Sequence, residues 1–317
     1  MTDAVAGAPA APKLTPHVRL DRVEVVVNPK SGGVGAKAAA ECEALCRAFE
    51  GVQWNLVEAD PAKVGQAVED ALAKRPDLLV VLAGDGTART AASLAGPDGP
   101  LIAPLPGGTM NMLPKALYGT TDWKEALNVA LTDGAVRPVG GGEVEGQAFY
   151  CAAVLGSAAL WAPAREAVRS GAPKLAWLYA KRAFRRTFSR RIRFRLDDDN
   201  IASKSMALAL ISPLISRALE APLGLEAASL NPAHAREAFR LATRALFADW
   251  RADPAVETRV VQKAQVWART PIPAILDGES VQLGHRAEVR YVSCAFRALA
   301  PRTANAAIPM TAPEGKD

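Results

Sequence analysis

The chain has 317 residues, 50% hydrophobic and 22% charged, with a formal net charge of +5. That length suggests about two domains at ~100–200 residues each, and the composition is that of a globular, soluble chain with apolar sequence enough for two cores. The mild positive charge suits an anionic partner, a membrane surface or phosphates, but no nucleic-acid-binding motif accompanies it. Only three histidines are present, His17, His234 and His285. They leave little basis for a His-centred metal site or a Ser-His-Asp hydrolase.

Residues 1–20 are rich in Ala and Pro, with no basic start and no apolar core segment. They read as a loose tail rather than a signal peptide. From 21 to 134 strand and helix alternate. Val23–Val27 is a β-branched run ended by Asn28-Pro29, and an Ala-rich helical stretch follows from Lys37 to Phe49. It carries Cys42 and Cys46 one turn apart; with no second pair and no nearby His, they read as buried free thiols of a reducing compartment. Val52–Val57 is the next strand. Ala62–Lys74 is helical, with Val64, Ala67, Val68, Ala71 and Leu72 on one face. Leu78–Leu82 is continuously apolar, as suits a parallel strand covered on both sides. Leu101–Leu105 is another strand, and Asp122 is placed to cap a helix running through Leu131. Alternation of this kind implies a parallel sheet with helices on both faces.

The style changes near 135. Val136–Val144 and Gln147–Leu155 predict a hairpin around Glu145-Gly146. A helical stretch covers about 160–188. Strand-like runs recur at Ile192–Leu196, Ser205–Ile211, Val256–Trp267, Ile272–Leu276 and Ala287–Phe296. Between them Pro232–Trp250 reads as a helix capped by Asn231. The segment 135–300 is therefore expected to be mostly antiparallel, with 301–317 a second loose tail. No run approaches the ~18 apolar residues of a membrane-spanning helix. The expectation is a cytoplasmic protein with at most peripheral contact at the inner membrane surface.

Three Gly-rich loops follow strands of the first half, on the sheet edge where open α/β folds bind ligands. In Asn28-Pro29-Lys30-Ser31-Gly32-Gly33 the glycines bare the backbone to phosphate oxygens, and Lys30 and Ser31 offer a charge and a hydroxyl. In Gly84-Asp85-Gly86-Thr87, Thr87 is placed to cap the next helix, whose N-terminus favours anions. A carboxylate there, flanked by glycines, is suited to hold Mg²⁺ or to take a proton from an attacking hydroxyl. In Pro106-Gly107-Gly108-Thr109-Met110-Asn111, Thr109 and Asn111 add hydrogen-bonding groups. Each loop alone also reads as a plain turn; three on one edge do not. None has the G-x-x-x-x-G-K-[ST] or G-x-G-x-x-G pattern. In the second half Asp277-Gly278-Glu279 reads as a hairpin turn by itself, and with the three loops as a second acidic group facing Asp85.

Taken together, N-P-K-S-G at 28–32, G-D-G-T at 84–87, P-G-G-T-M-N at 106–111 and D-G-E at 277–279 resemble the diacylglycerol kinase catalytic-domain family, which includes bacterial lipid kinases and sphingosine kinases. The resemblance spans about 250 residues. It implies an α/β domain like that of phosphofructokinases and NAD kinases over 21–134. It implies a β-sandwich-like lipid-substrate domain over 135–300, with the nucleotide in the cleft between them. ATP, Mg²⁺ and a lipid substrate follow as expectations. By the same resemblance Asn28, Ser31 and Gly32 lie at the nucleotide. Gly84, Asp85, Gly86 and Thr87 hold its phosphates and Mg²⁺, and Gly108, Thr109 and Asn111 close the site. Glu279 is a candidate general base on the lipid hydroxyl, and Asp85 is the competing candidate.

The chain departs from the family pattern in three places. Ala83 replaces the first Gly of G-G-D-G-T. Ala88-Arg89-Thr90 lacks the Glu that often follows the Thr. The stretch Glu220–Leu230 lacks the Asp-Gly pair of a structural Mg²⁺ site. Lys181–Arg195 is basic, with interleaved Phe184, Phe188, Ile192 and Phe194. It reads either as a membrane-docking face or as a solvated helix followed by an edge strand protected by Arg. Asp197-Asp198-Asp199-Asn200 reads as a turn. The leading expectation is an ATP- and Mg²⁺-dependent lipid kinase. A soluble-substrate kinase of the NAD-kinase type and a regulatory protein without turnover are the alternatives.

Overall fold

Three mainly aliphatic runs and the mixed run Gln53–Glu58 make the parallel part of one sheet in the computed structural model, which describes residues 13–15, 17–161, 191–216, 223–231 and 256–302. They are β1 (Arg22–Val27), β2 (Gln53–Glu58), β3 (Leu78–Ala83) and β4 (Leu101–Pro106). All pair in parallel, in the order β2-β1-β3-β4. Every residue of β3 and β4 is buried, because helices cover both faces of the central strands. The helices are α1 (Ala38–Arg47), α2 (Val64–Ala73), α3 (Asp85–Ala95), α4 (Met112–Tyr118) and α5 (Trp123–Asp133). Asp122 caps α5 as its position predicts, its carboxylate accepting the N–H of Lys124 at 2.8 Å. One acid, Glu24, lies inside β1; Lys74 Nζ at 2.8 Å and Asn55 Nδ2 at 2.6 Å satisfy it, as a buried charge requires. None of the four cysteines forms a disulfide, and Cys42, Cys46 and Cys151 are buried.

The described residues fall into two compact units. The first holds the chain up to Pro138 and takes in a return from Phe296 onward; the second begins at Val139 and runs to Ala295. The second contains antiparallel strands. After β5 (Gly134–Val144) come β6 (Gln147–Phe149), β7 (Ala152–Gly156), β8 (Ile192–Leu196), β9 (Ser203–Ser205), β10 (Ala207–Ile211) and β11 (Leu225–Leu230). They are followed by β12 (Val256–Val261), β13 (Lys263–Trp267), β14 (Ile272–Leu276), β15 (Glu279–Leu283) and the long β16 (Arg286–Pro301). One sheet runs β12-β11-β10-β7-β14-β15. In the other, β13 pairs with β8 and with the first half of β16, and β9 pairs with β8. Inward side chains of both sheets, among them Leu155, Leu210 and Ile272 on one and Phe194, Val266 and Val289 on the other, form one buried cluster. Two layers sharing a core are the expected sandwich-like arrangement.

Several expectations change in the structure. The second arm of the hairpin after Gly146 does not run through to Leu155; it breaks at Tyr150-Cys151 into β6 and β7, which join different sheets. Val256–Trp267 likewise divides at Gln262 into β12 and β13. Ser205–Ile211 divides at Met206 into β9 and β10. β8 is not an edge strand, since β13 and β9 flank it. Residues 157–161 form a 3-10 turn; the rest of the helix expected over 160–188 lies outside the described residues, as does Pro232–Trp250. No described helix is long and apolar enough to cross a membrane.

Candidate active site

The carboxyl ends of three neighbouring strands carry the three Gly-rich loops. β3 lies between β1 and β4, so the loop at Gly84 has the other two as neighbours. The first loop leaves β1 with Asn28, whose N–H continues the ladder to Leu82 O at 2.9 Å. Its side-chain oxygen then accepts the N–H of Lys30 at 3.1 Å, a local turn typical of Asn. Gly33 donates to Gly107 O at 3.1 Å, tying the first loop to the third.

Close approach explains the glycines. A Cβ on Gly107 would lie 2.7 Å from Ala83 O, and one on Gly108 would lie 2.9 Å from Gly84 Cα. A Cβ on Gly32 would reach Thr109 Oγ1 at 3.3 Å, and one on Gly84 would reach Ser31 Oγ at 3.5 Å. The loops thus touch one another through backbone. Ala83, standing where the family has a glycine, is a buried strand residue outside the positive-φ set. An alanine fits there without strain.

Asp85 opens α3. The residue before it, Gly84, has extended backbone and brings no side-chain oxygen to the first-turn N–H groups. Thr87 is therefore not the cap expected of it; it is the third residue of the helix, because the chain turns helical directly at Asp85. Asp85 Oδ1 accepts the N–H of Leu113 in the first turn of α4 at 3.4 Å. Asn111, in the left-handed region at φ 50°, ends the third loop. Its side chain accepts from Gly108 N at 2.7 Å and donates to Gly108 O at 2.9 Å. Lys30 leans away toward the loop after β2, where Nζ lies 3.5 Å from Asp60. The Ala62 N–H, with Lys30 nearby, holds the Asp60 carboxyl below its ordinary value.

The structure brings together Asn28, Ser31, Gly32, Gly84, Asp85, Gly86, Thr87, Gly108, Thr109 and Asn111 within the first unit. Glu279 belongs to the second. There Asp277 and Gly278 form the two-residue turn between β14 and β15, at φ 47° and 92°, and Glu279 is the exposed first residue of β15. The role of Asp277 was not visible in the sequence. Its carboxylate accepts three successive backbone N–H groups, those of Tyr150 at 2.7 Å, Cys151 at 2.8 Å and Ala152 at 2.9 Å. Those residues lie more than a hundred positions earlier in the chain, and only the Asp-Gly turn itself has a local signal. Asp197 and Asp199, in the other acidic turn, are engaged by the chain itself, chiefly through Arg259, whose Nη1 meets both Asp199 oxygens at 2.9 Å.

Among the described residues no three His, Cys, Asp or Glu side chains gather as a metal cage. Asp85 is the carboxylate at this helix start; Mg²⁺ is commonly held by one or two carboxylates together with substrate phosphates and water.

Comparison with known proteins agrees with the loop motifs. Residues 22–144 match the family model of the diacylglycerol kinase catalytic domain. Among solved structures, a diacylglycerol kinase from Bacillus anthracis superposes with TM-score 0.65 at 14% identity, over 90% of this chain and 98% of the other. A second Bacillus anthracis protein, described as a candidate diacylglycerol kinase, gives 0.66 at 16% identity, over 90% and 99%. At these identities the likeness is one of fold, and it extends over both units. No curated protein matches the chain.

Proposed function

With residues 22–144 matching a diacylglycerol kinase catalytic domain, we propose that the chain is an ATP- and Mg²⁺-dependent lipid kinase acting on a hydroxyl of diacylglycerol or a related lipid. The observation that carries this reading is the convergence of three glycine loops around the uncapped start of α3, with Asp85 as its first residue. Backbone N–H groups at such a helix end favour phosphate. Gly84, Gly86 and Thr87 supply that end, while Asn28, Ser31 and Gly32 on one side and Gly108, Thr109 and Asn111 on the other border the nucleotide.

Asp85 is the residue to hold Mg²⁺, which when bound neutralises charge on the phosphates. In transfer, the lipid hydroxyl oxygen forms a bond to the terminal phosphorus as the bond to the bridging oxygen breaks, and ADP leaves. The hydroxyl proton passes to a carboxylate. Glu279 and Asp85 are the two candidates, and an ordinary carboxylate is basic enough to accept a proton during attack.

The test is transfer of labelled phosphate from ATP to a panel of lipids in mixed micelles, with NAD as the soluble control. Phospholipid product is expected. Transfer to NAD alone would overturn the lipid assignment. Nucleotide binding without transfer to any acceptor would favour a regulatory protein, a reading that the Ala88-Arg89-Thr90 sequence keeps in view. Asp85→Asn should lower transfer at least about 100-fold with unfolding unchanged. Glu279→Gln separates the two bases, since only loss of the base removes the rate while nucleotide affinity persists.

A further inference from the structure

In the second unit, the outer face of the sheet segment β16-β13-β8-β9 carries far more positive charge than the molecule's average. Register places Arg193 and Arg195 of β8, Lys204 of β9, Lys263 of β13, and Arg286 and Arg290 of β16 on one face. The opposite face, with Ile192, Phe194, Ala264, Val266 and Val289, is the buried one. All six cations are exposed or half-exposed. On these four strands the acid of that face is Glu288, 2.9 Å from Lys263 and 2.5 Å from Arg290; β5, which also pairs with β16, carries the exposed Glu143. Hydrogen bonds from Lys263, Gln265 and Arg290 hold the Glu288 carboxyl down to about 2, so it stays charged throughout the neutral range.

Like charges directly opposite across an antiparallel pair are destabilising. Two such pairs occur, Lys263 with Arg290 and Arg193 with Lys204. Glu288 relieves the first. Among the described residues nothing acidic relieves the second, nor Arg195 or Arg286. Neighbouring cations on a sheet lie within a Debye length of one another, about 8 Å at physiological salt, so they act on an outside charge as one field.

Three exposed aliphatic side chains stand at one end of this unit, beside the Asp197-Asp198-Asp199 turn, two of whose carboxylates are taken up by Arg259 and by backbone N–H groups. Ile201, in the turn joining β8 and β9, is 83% exposed, Leu223 is 68% and Val260 is 47%. They are tied into one region. Asp197 accepts the N–H groups of Gln262 and Lys263, the Gln262 side chain donates to Leu223 O, and Arg259, beside Val260, holds Asp199. Half-buried Trp267 lies within the basic face, under Arg195 at 5.8 Å.

We propose that this face docks onto the surface of a bilayer containing anionic phospholipids, with the cations against headgroup phosphates and Ile201, Leu223 and Val260 entering the apolar boundary. Charge complementarity chooses the anionic surface. The exposed aliphatic end and an interfacial Trp choose lipid over a nucleic acid, which would want several stacking aromatics; here the one ring is already covered by Arg195. The lipid-kinase reading makes a bilayer the natural occupant, but the face is tested without it.

The experiment is co-sedimentation of the full chain with phosphatidylcholine vesicles, with and without phosphatidylglycerol. Parent protein should bind only the anionic vesicles, and more weakly as salt rises. The combined variant Arg193→Gln, Arg195→Gln, Lys204→Gln should bind about 100-fold more weakly, at roughly five-fold per cation, with a melting curve no lower than the parent's, since the opposed Arg193–Lys204 charges are gone, and unchanged transfer in detergent micelles. Ile201→Ser with Leu223→Ser should weaken binding while leaving its salt dependence intact. A control removing as many cations elsewhere, Lys13→Gln, Arg19→Gln, Lys63→Gln, should bind near the parent value. The proposal is overturned if the face variant binds like the parent, if the control loses as much, or if the face retains single-stranded nucleic acid and no vesicle. Micellar transfer reports separately on the kinase reading, so failure of one does not pass for failure of the other.

Discussion

A methyl group on Gly108 would have nowhere to go. Its nearest neighbour would be Gly84 Cα at 2.9 Å, with Asp85 N at 3.4 Å, and backbone cannot swing aside as a side-chain tip can. Gly32 differs, since its nearest atom is the Thr109 hydroxyl at 3.3 Å, which can rotate. Gly108→Ala is therefore expected to destabilise the chain by about 1–3 kcal/mol, the usual range for overpacking, and to lower transfer by pushing Asp85 off its place. Gly32→Ala should leave stability near the parent value. Urea unfolding of the two variants, with the transfer assay beside it, checks the contrast; equal melting of both would show that the loops have room to spare. The sequence located these loops by composition, reading every glycine as backbone bared to a ligand. It could not tell which glycines answer to a ligand and which to one another, because that depends on the distance between loops on different strands. Thr87 failed as a cap for a related reason: where a helix begins is decided by the turn out of β3, and one residue of difference changes the role.

At the scale of elements, two carboxylates decide where strands change sheets. Asp277 takes the N–H groups of Tyr150, Cys151 and Ala152 at the point where β6 ends and β7 starts in the other sheet. Asp197 takes those of Gln262 and Lys263 between β12 and β13. Both acids stand in turns at positive φ, 47° and 48°. Each satisfies donors that would otherwise leave their ladder unpaired, and an unpaired buried donor costs about 1–3 kcal/mol. Asp277→Ala is expected to lose at least about 3 kcal/mol of stability, and Asp277→Asn less, since the amide oxygen can keep the Cys151 and Ala152 bonds while losing that to Tyr150. Chemical unfolding orders the two. An Asp277→Ala protein as stable as the parent would mean the switch point needs no carboxylate. The strands themselves were readable from their alternation of apolar and polar residues. The breaks within 147–155 and 256–267 were not, because periodicity continues across them and the group that interrupts each lies elsewhere in the chain. β11 and β15 escaped as well: Leu225–Leu230 has no polar alternation and Glu279–Leu283 is mostly exposed.

On the scale of the whole chain, the first unit is not one stretch of sequence. Strand β16 is sixteen residues long. Its first half pairs with β13, and its last part returns beside β4, Ala298 opposite Ile102. An apolar strand looks the same whichever sheet it joins, so a sequence reading assigns 135–300 to one domain while the contacts gather Phe296 onward with the residues up to Pro138. That return carries weight. Phe296, Ala298, Leu299 and Ala300 are fully buried. Tyr118, whose phenol burial pushes up, donates to Leu299 O at 2.9 Å, and Arg297 donates to Gly99 O at 2.6 Å. Deleting one large core side chain costs about 2–5 kcal/mol, against a total stability of about 5–15 kcal/mol for a domain. A chain ended after Ala295 would lose two such side chains, the tyrosine's acceptor and the strand beside β4. It is therefore expected to lose the cooperative unfolding of the first unit and the nucleotide affinity proposed for it, although every residue of the three loops is still present. A chain ended after Arg302 keeps the return and should keep both. Far-UV circular dichroism through a urea titration, with a fluorescent ATP analogue as the second readout, compares the two. If the shorter chain binds nucleotide and unfolds as the longer one does, β1 to β4 with their helices hold the loops unaided, and the last strand is only a covering.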